Sequence, residues 1–503
     1  MRALSAMLLL SLVGCDKLWG SYIGIGDFVL DGGVTSCAGS DTCDLAQSDA
    51  APPDLYLPGC GKNQDCIDPK APFCDLNSGQ CVAQQPSSEA FPKDAAFQST
   101  IALTSRYVLM ATGDYNGDGI TDIAVSGIFT NLPNASSASD SKVEIYIGDG
   151  LGAFKPDDTM CSFPGGNAPV YLLTVPAVGK KYSGILVAAY AGNVWYCERV
   201  AGPGGTWTPT RVGSAGGTGF RQLALANNEA QANPDLIIRT GKFRYLDAAD
   251  TSGSLDVYRA SKSYVFNGPN SQASSTNISW VAPIRPKGAK GDSLALTWDD
   301  PSPAGATLGR LGTEFFYTNP AFMTNSQGYS STLTTSGTFF TLANKPLRTT
   351  TVLHTQAQDP SLLYTVSQNP NFVGVLYGTT VPTFTFQTTP TMWKQPGLML
   401  PYAGDANGDG QDEIGLYSQM VPGGISDQHL QLLSYKNGVI DTLQPITDIA
   451  TTTENFHGMA LEYLGGLGDR RRTLLRKDLI VIMDNGTSSQ LLIRRANLNY
   501  QFP

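Results

Sequence analysis

Gly113-Asp-Tyr-Asn-Gly-Asp-Gly-Ile-Thr-Asp122 returns near the C-terminus as Gly404-Asp-Ala-Asn-Gly-Asp-Gly-Gln-Asp-Glu413. Each copy sets oxygen-bearing side chains at alternate positions, then a glycine, then a final carboxylate. A short loop of this kind wraps a hard cation, and Ca2+ takes about six to eight oxygens at roughly 2.3–2.6 Å. The expected ligands are Asp114, Asn116, Asp118, the Ile120 carbonyl and Asp122 in the first copy. In the second they are Asp405, Asn407, Asp409, the Gln411 carbonyl and Glu413. Gly119 and Gly410 let the chain turn without a Cβ clash.

The flanks decide what kind of loop this is. An EF-hand needs helices on both sides and a glutamate at its twelfth position, whereas Val125 and Leu416 stand there. Each copy instead runs into a short apolar strand, Ile123-Ala-Val or Ile414-Gly-Leu. The plain alternative is a solvated Asn-Gly/Asp-Gly turn between strands. Two copies almost 300 residues apart favour the cation loop over that turn.

Those apolar strands belong to a series: Ile123-Ala-Val, Ile185-Leu-Val, Leu236-Ile-Ile, Leu294-Ala-Leu, Leu362-Leu-Tyr, Ile414-Gly-Leu and Leu479-Ile-Val. Their starts lie 62, 51, 58, 68, 52 and 65 residues apart. Most follow an acidic or small residue: Asp122, Gly184, Asp235, Asp359, Glu413 or Asp478. Units of this length hold four strands each. Radial repetition of such units makes a propeller and protects the sheet edges. The expected fold is therefore all-β, a β-propeller of about seven four-stranded blades over residues 95–503. The stretch Phe97-Gln-Ser-Thr-Ile-Ala-Leu103 is expected to supply the outer strand of the last blade, where the C-terminal unit is one strand short.

Composition agrees. The 503 residues include 54 Gly and 31 Pro with only 15% charged residues, which points to turns and strands. A formal net charge of −10 and the lack of a basic run argue against nucleic acid as partner.

The N-terminus reads as an address. Met1-Arg2 leads an apolar stretch from Ala3 to Val13, too short to span a bilayer. Leu12-Val13-Gly14-Cys15 resembles the bacterial lipobox, which implies signal removal over 1–14 and lipidation of Cys15. The expected partner there is the membrane, and the expected location is the bacterial cell envelope, periplasmic or cell-surface side. Residues 15–57 are rich in Asp, Ser, Ala, Gly and Pro and read as a flexible tether. Setting Cys15 aside leaves Cys37, Cys43, Cys60, Cys66, Cys74, Cys81, Cys161 and Cys197, an even set that favours disulfides in an exported chain. Cys37 and Cys43 could close a small loop in the tether. Cys60, Cys66, Cys74 and Cys81 define a small disulfide-rich module over 58–83, with its three pairings left open. Cys161 and Cys197 fall in adjacent units and could pair.

The two cation loops resemble those of FG-GAP (VCBS-type) repeats, the blades of the integrin α-subunit propeller, and Tyr146-Ile-Gly-Asp-Gly-Leu-Gly-Ala-Phe154 resembles the strand-turn-strand that follows such a loop. The third unit, Asn227-Asn-Glu-Ala-Gln-Ala-Asn-Pro-Asp235, lacks the glycines. The seventh, Gly465-Gly-Leu-Gly-Asp-Arg-Arg-Arg472, has cations where carboxylates belong. The resemblance thus implies two structural Ca2+ sites, not seven.

No catalytic constellation stands out. His354, His429 and His457 have no metal spacing, and there is no G-x-S-x-G, P-loop or H-E-x-x-H. Asp157-Asp158 and Asp299-Asp300 read as solvated turn acids, Arg470-Arg-Arg472 as a solvated loop with anion binding as the alternative, and Trp195, Tyr196, Trp280, Trp298 and Trp393 as blade core with a sugar-stacking surface as the alternative. The sequence reading is a lipid-anchored, calcium-stabilised β-propeller serving as a binding or adhesion module for a protein or glycan. The alternative is a polysaccharide lyase or hydrolase using acids in the propeller funnel.

Overall fold

The computed structural model describes residues 59–127, 141–164, 168–177, 181–189, 192–200, 205–214, 221–226, 234–241, 252–260, 266–276, 278–284, 292–301, 307–314, 340–342, 347–353, 359–366, 372–380, 383–388, 402–420, 427–436, 439–441, 445–451, 454–466 and 469–502. The signal segment, the tether and Cys15, Cys37 and Cys43 lie outside the described residues, as do His354 and Trp393.

The described residues form seven four-stranded antiparallel sheets. The first is β4 (Leu109–Gly113), β5 (Asp122–Ser126), β6 (Lys142–Gly148) and β7 (Phe154–Ser162). The second runs β8 (Pro169–Val175), β9 (Gly184–Ala189), β10 (Asn193–Arg199), β11 (Trp207–Ser214). The third holds β12 (Arg221–Ala226), β13 (Asp235–Gly241), β14 (Ser252–Ala260) and β15 (Phe266–Thr276). The fourth holds β16 (Ile278–Ile284), β17 (Ser293–Pro301), β18 (Thr307–Glu314) and β19 (Phe340–Leu342). Next come β20 (Leu347–Leu353), β21 (Asp359–Val366), β22 (Phe372–Thr380) and β23 (Thr383–Thr388). The sixth sheet is β24 (Tyr402–Gly404), β25 (Glu413–Met420), β26 (Asp427–Leu433) and β29 (Thr447–Thr451), with a hairpin of β27 (Tyr435–Lys436) and β28 (Val439–Ile440) inserted. The seventh is β30 (Asn455–Glu462), β31 (Asp478–Asp484), β32 (Ser489–Arg494) and, from the other end of the chain, β3 (Gln98–Ala102).

The first strands of consecutive sheets contact one another in turn: β4 with β8, β8 with β12, β12 with β16, β16 with β20, β20 with β24, β24 with β30 and β30 with β4. The ring closes, and the chain is a seven-bladed β-propeller. Its last blade is completed by β3, which pairs with β32 from Gln98↔Arg494 to Ala102↔Gln490.

The seven apolar runs are the second strands of the blades. They read as continuous rather than alternating because both faces are covered. In β31, Leu479, Val481 and Met483 pack toward the sixth blade with Leu430, Leu432 and Ile449. Ile480 and Ile482 pack toward the first with Ile123 and Val125. In β9, Ile185 and Val187 join Ala111 and Ala124 of the first blade, while Leu186 and Ala188 join Leu223 and Leu236 of the third. Each fully buried aliphatic side chain contributes about 1.5–3 kcal/mol.

The cysteine module is a one-turn 3-10 helix (Asn63–Asp65) with β1 (Phe73–Asp75) and β2 (Gln80–Val82). Its disulfides are Cys60–Cys74 and Cys66–Cys81, which selects one of the three open pairings. The third bond, Cys161–Cys197, joins β7 of the first blade to β10 of the second. The module is not a bead on the tether. Asn77 donates to Asn497 (2.9 Å), Asn499 donates to Asp75 (2.8 Å) and Arg470 donates to the Leu76 carbonyl (2.9 Å). The propeller core also reaches back past the expected boundary at residue 95, because Ala90 and Phe91 are buried in it with Tyr417 and Ala496.

Candidate functional site: two acidic loops and the arginine loop between them

Residues 114–121 join β4 to β5, and residues 405–412 join β24 to β25. The two loops share one hydrogen-bond plan. Asp114 accepts from the N–H groups of Gly117 (2.6 Å) and Gly119 (2.9 Å); Asp405 accepts from Gly408 (2.6 Å) and Gly410 (2.9 Å). Asn116 accepts from Asp118 N–H and Asn407 from Asp409 N–H, at 2.9 and 2.8 Å. Asp118 and Asp409 then accept from Ile120 and Gln411, both at 2.8 Å. Each side chain folds back onto the N–H two to five residues on, so the loop's own Asp and Asn side chains hold the turn. The bends fall at Gly117 and Gly119, with φ of 77° and 79°, and at Gly408 and Gly410, with φ of 76° and 79°.

The last acid of each loop opens a buried strand. Asp122 is fully buried and Glu413 is 5% exposed. Asp122 accepts from Tyr115 N–H (2.9 Å), Asn116 N–H (3.2 Å) and Gly148 N–H (2.9 Å), so it ties the loop to the end of β6. Glu413 accepts from Ala406 N–H (2.6 Å) and the Asn407 amide (3.0 Å).

With only the protein's own charges around it, burial pushes the Asp122 carboxyl up to about 8, and Asp118 and Asp114 add to the shift. Burial, with the charges of Asp405, Asp409 and Asp412, raises Glu413 well above its ordinary range. Burial raises Asp114 and Asp405 as well. Burial is the larger cause in each case, and the neighbouring acids of the same loop add to it. A carboxylate offers about four lone-pair directions; Asp114 and Asp122 each accept three N–H bonds and keep capacity for one more ligand. Hard oxygen donors on a short glycine-formed turn are the donor set that Ca2+ takes. Asp114, Asn116, Asp118, Ile120 and Asp122, and Asp405, Asn407, Asp409, Gln411 and Glu413, would hold it.

The equivalent loop of the seventh blade lies between these two. It contains α1 (Arg470–Thr473), capped by Asp469, which accepts from Arg471 N–H. Arg472 donates to the Gly119 carbonyl (3.0 Å) in the first acidic loop. Arg476 donates to the Asn407 carbonyl (3.3 Å) in the second, and Lys477 N–H to the Ala406 carbonyl (3.1 Å). The reading of Arg470–Arg472 as a solvated loop is therefore corrected. Arg471 lies 3.6 Å from the fully buried Asp478 and donates to the Ala496 carbonyl. Arg495 bonds both Asp478 (2.8 Å) and Asp469 (2.6 Å). In this blade guanidinium groups balance the strand-opening acid.

Asp157 is also corrected: it lies in β7, not in a turn, and forms a buried ion pair with Arg199 of the second blade. His457 bonds Asp484, which Arg106 also meets at 2.8 Å, and His429 bonds Asp448 at 3.0 Å. Tyr196 is core; Trp195 is half-buried and stacked on Phe163. The side chains of Trp280 and Trp298 lie outside the description.

The sequence reading missed Gly148 as the anchor of Asp122 and Arg476 as a neighbour of the second loop. The first had a usable signal, the repeated Gly-Asp-Gly turn that follows the loop. The second had none, because contact between loops of successive blades depends on ring geometry.

No family model matches the chain, and no curated protein matches it. Among solved structures, the chain is similar to one described as "Structure of Dos1 propeller", at 11% identity and a TM-score of 0.42, over 80% of this chain and 95% of that one.

Proposed function

We propose that this chain is a lipid-anchored cell-envelope protein whose FG-GAP-type propeller is stabilised by two Ca2+ ions and serves as a binding or adhesion module. The observation that carries the reading is the shared hydrogen-bond plan of the 114–122 and 405–413 loops, two nine-residue turns lined by acids, each ending in a buried one. Calcium is structural here: it neutralises the cradles and fixes the turns between the first and second strands of two blades. Cys15 is the lipid attachment point, and residues 15–57 hold the folded part away from the bilayer. A propeller scaffold presents loops on broad faces, and those loops rather than the fold carry recognition.

Two experiments test this. Cys15→Ser should release the protein from the membrane fraction, and unchanged detergent partitioning would reject the anchor. A glycan array and a pull-down with the soluble part, each with calcium and with chelator, should give a ligand whose retention needs calcium. Turnover of a polysaccharide without retention would favour the enzyme reading instead.

A further inference from the structure

The cations of the seventh-blade loop are not shared evenly between the two acidic loops. Leu475 adopts a left-handed backbone, φ 54°, rare for a bulky side chain. It sits over Gly408: a Cβ placed on that glycine would come within 2.2 Å of the Leu475 Cβ. The turn carries the next two residues against the second acidic loop. Arg476 donates to the Asn407 carbonyl and lies over the Phe502 ring at 4.7 Å, so its guanidinium is held from two sides. Its charge acts on Glu413, Asp409 and Asp405, three of the expected ligands. Lys477 adds a charge that acts on Asp405. The first loop has a weaker arrangement. Arg472 touches it at the Gly119 carbonyl and the Lys181 side chain lies against Gly117, but neither charge is among those that act most on Asp114 or Asp122, and for Asp122 those are Asp118 and Asp114.

We propose that Arg476 is a built-in counter-cation that competes with Ca2+ at the 405–413 loop, making the two calcium sites unequal. The inference rests on the calcium reading above and adds its regulation. A fixed positive charge beside the loop repels an entering dication and partly offsets the charge of the carboxylates when the ion is absent. The 405–413 site is therefore the weaker one and exchanges its ion first when calcium falls, while the 114–122 site stays filled.

The test is a calorimetric calcium titration of the full chain carrying Asp118→Ala, which silences the first loop so that the second is read alone. Adding Arg476→Gln keeps a donor for the Asn407 carbonyl but removes the charge. It should tighten calcium binding by about three- to tenfold, the scale of one charge near a dication at high effective dielectric. Arg476→Lys keeps the charge and should leave the affinity near that of the parent. Raising the salt concentration should shrink the difference between Arg476→Gln and the parent. Unchanged or weaker binding in Arg476→Gln would overturn the proposal, since Arg476 would then merely shape the loop. If the Asp118→Ala chain binds no calcium and Asp409→Ala changes nothing in the otherwise native chain, the calcium reading itself fails and takes this inference with it.

Discussion

At the scale of single residues, stability turns on how buried acids are compensated. With no cation present, burial pushes the Asp122 carboxyl up to about 8 in the folded chain, against about 3.9 for an aspartate in an unfolded chain. Its folded value is raised, so between about pH 4 and pH 8 the folded state binds more protons than the unfolded one. Stability must then fall as the pH rises across that window. Glu413, Asp114 and Asp405 shift in the same direction. In chelator, the melting temperature is expected to drop from pH 5 to pH 8, and calcium should flatten that slope. A flat profile in chelator would show that the loop acids find compensation elsewhere. Asp484 behaves in the opposite sense. Burial pushes it up, but the hydrogen bonds from His457 and Gly486 and the charges of His457 and Arg106 outweigh burial and hold it at about 2. Its contribution is present above pH 4 and is lost as the pH falls toward 2. Asp484→Asn should therefore reduce stability at pH 7 but matter little at pH 2, as read by denaturant midpoints.

At the scale of elements, the second strands and the loops before them were legible because each is fixed locally. A β-strand buried on both faces must be apolar throughout, so Ile123-Ala-Val and Leu479-Ile-Val announce themselves. A loop that turns at positive φ twice must carry glycine twice. The fourth strands carry no such mark: β7 is Phe-Lys-Pro-Asp-Asp-Thr-Met-Cys-Ser, and its outer position lets polar residues stand where core residues otherwise would. Contacts between blades were illegible for another reason. Asp157 and Arg199 are 42 residues apart, and only ring curvature brings them together. The Cys161–Cys197 bond, whose cysteines the sequence already places in adjacent units, crosses the same boundary over a separation of 36 residues. Closing a loop of that size in the unfolded chain is worth about 4 kcal/mol on the chain-entropy model. Cys161→Ser with Cys197→Ser should lower the unfolding free energy by roughly 2–4 kcal/mol while leaving the other blade contacts in place. A loss under about 0.5 kcal/mol would mean that packing alone holds the first two blades together.

At the scale of the whole molecule, everything depends on closing the ring. Among the described residues, β3 is the one strand of the seventh blade taken from the N-terminal side, and it covers the edge of β32. Without it, β32 would present unpaired N–H and C=O groups to solvent at the outer edge of the blade. Around that closure the structure adds further ties. Leu103 N–H donates to the Ser489 carbonyl and Arg495 N–H to the Phe97 carbonyl. Asn497 binds the carbonyls of Ser87 and Glu89, and Tyr500 and Phe502 pack against the core of blades six and seven. The two ends of the propeller are thus fastened to each other, and the cysteine module is fastened to both Asn497 and Asn499. Deleting residues 95–105 removes the clasp and part of the core it shelters. It should lower the melting temperature by well over ten degrees or abolish cooperative unfolding. Deleting 16–57 removes none of these contacts and should leave the transition where it was. Equal melting temperatures for the two deletions would mean that the ring is stable open, and that blade-to-blade packing, not the clasp, sets the stability of the fold.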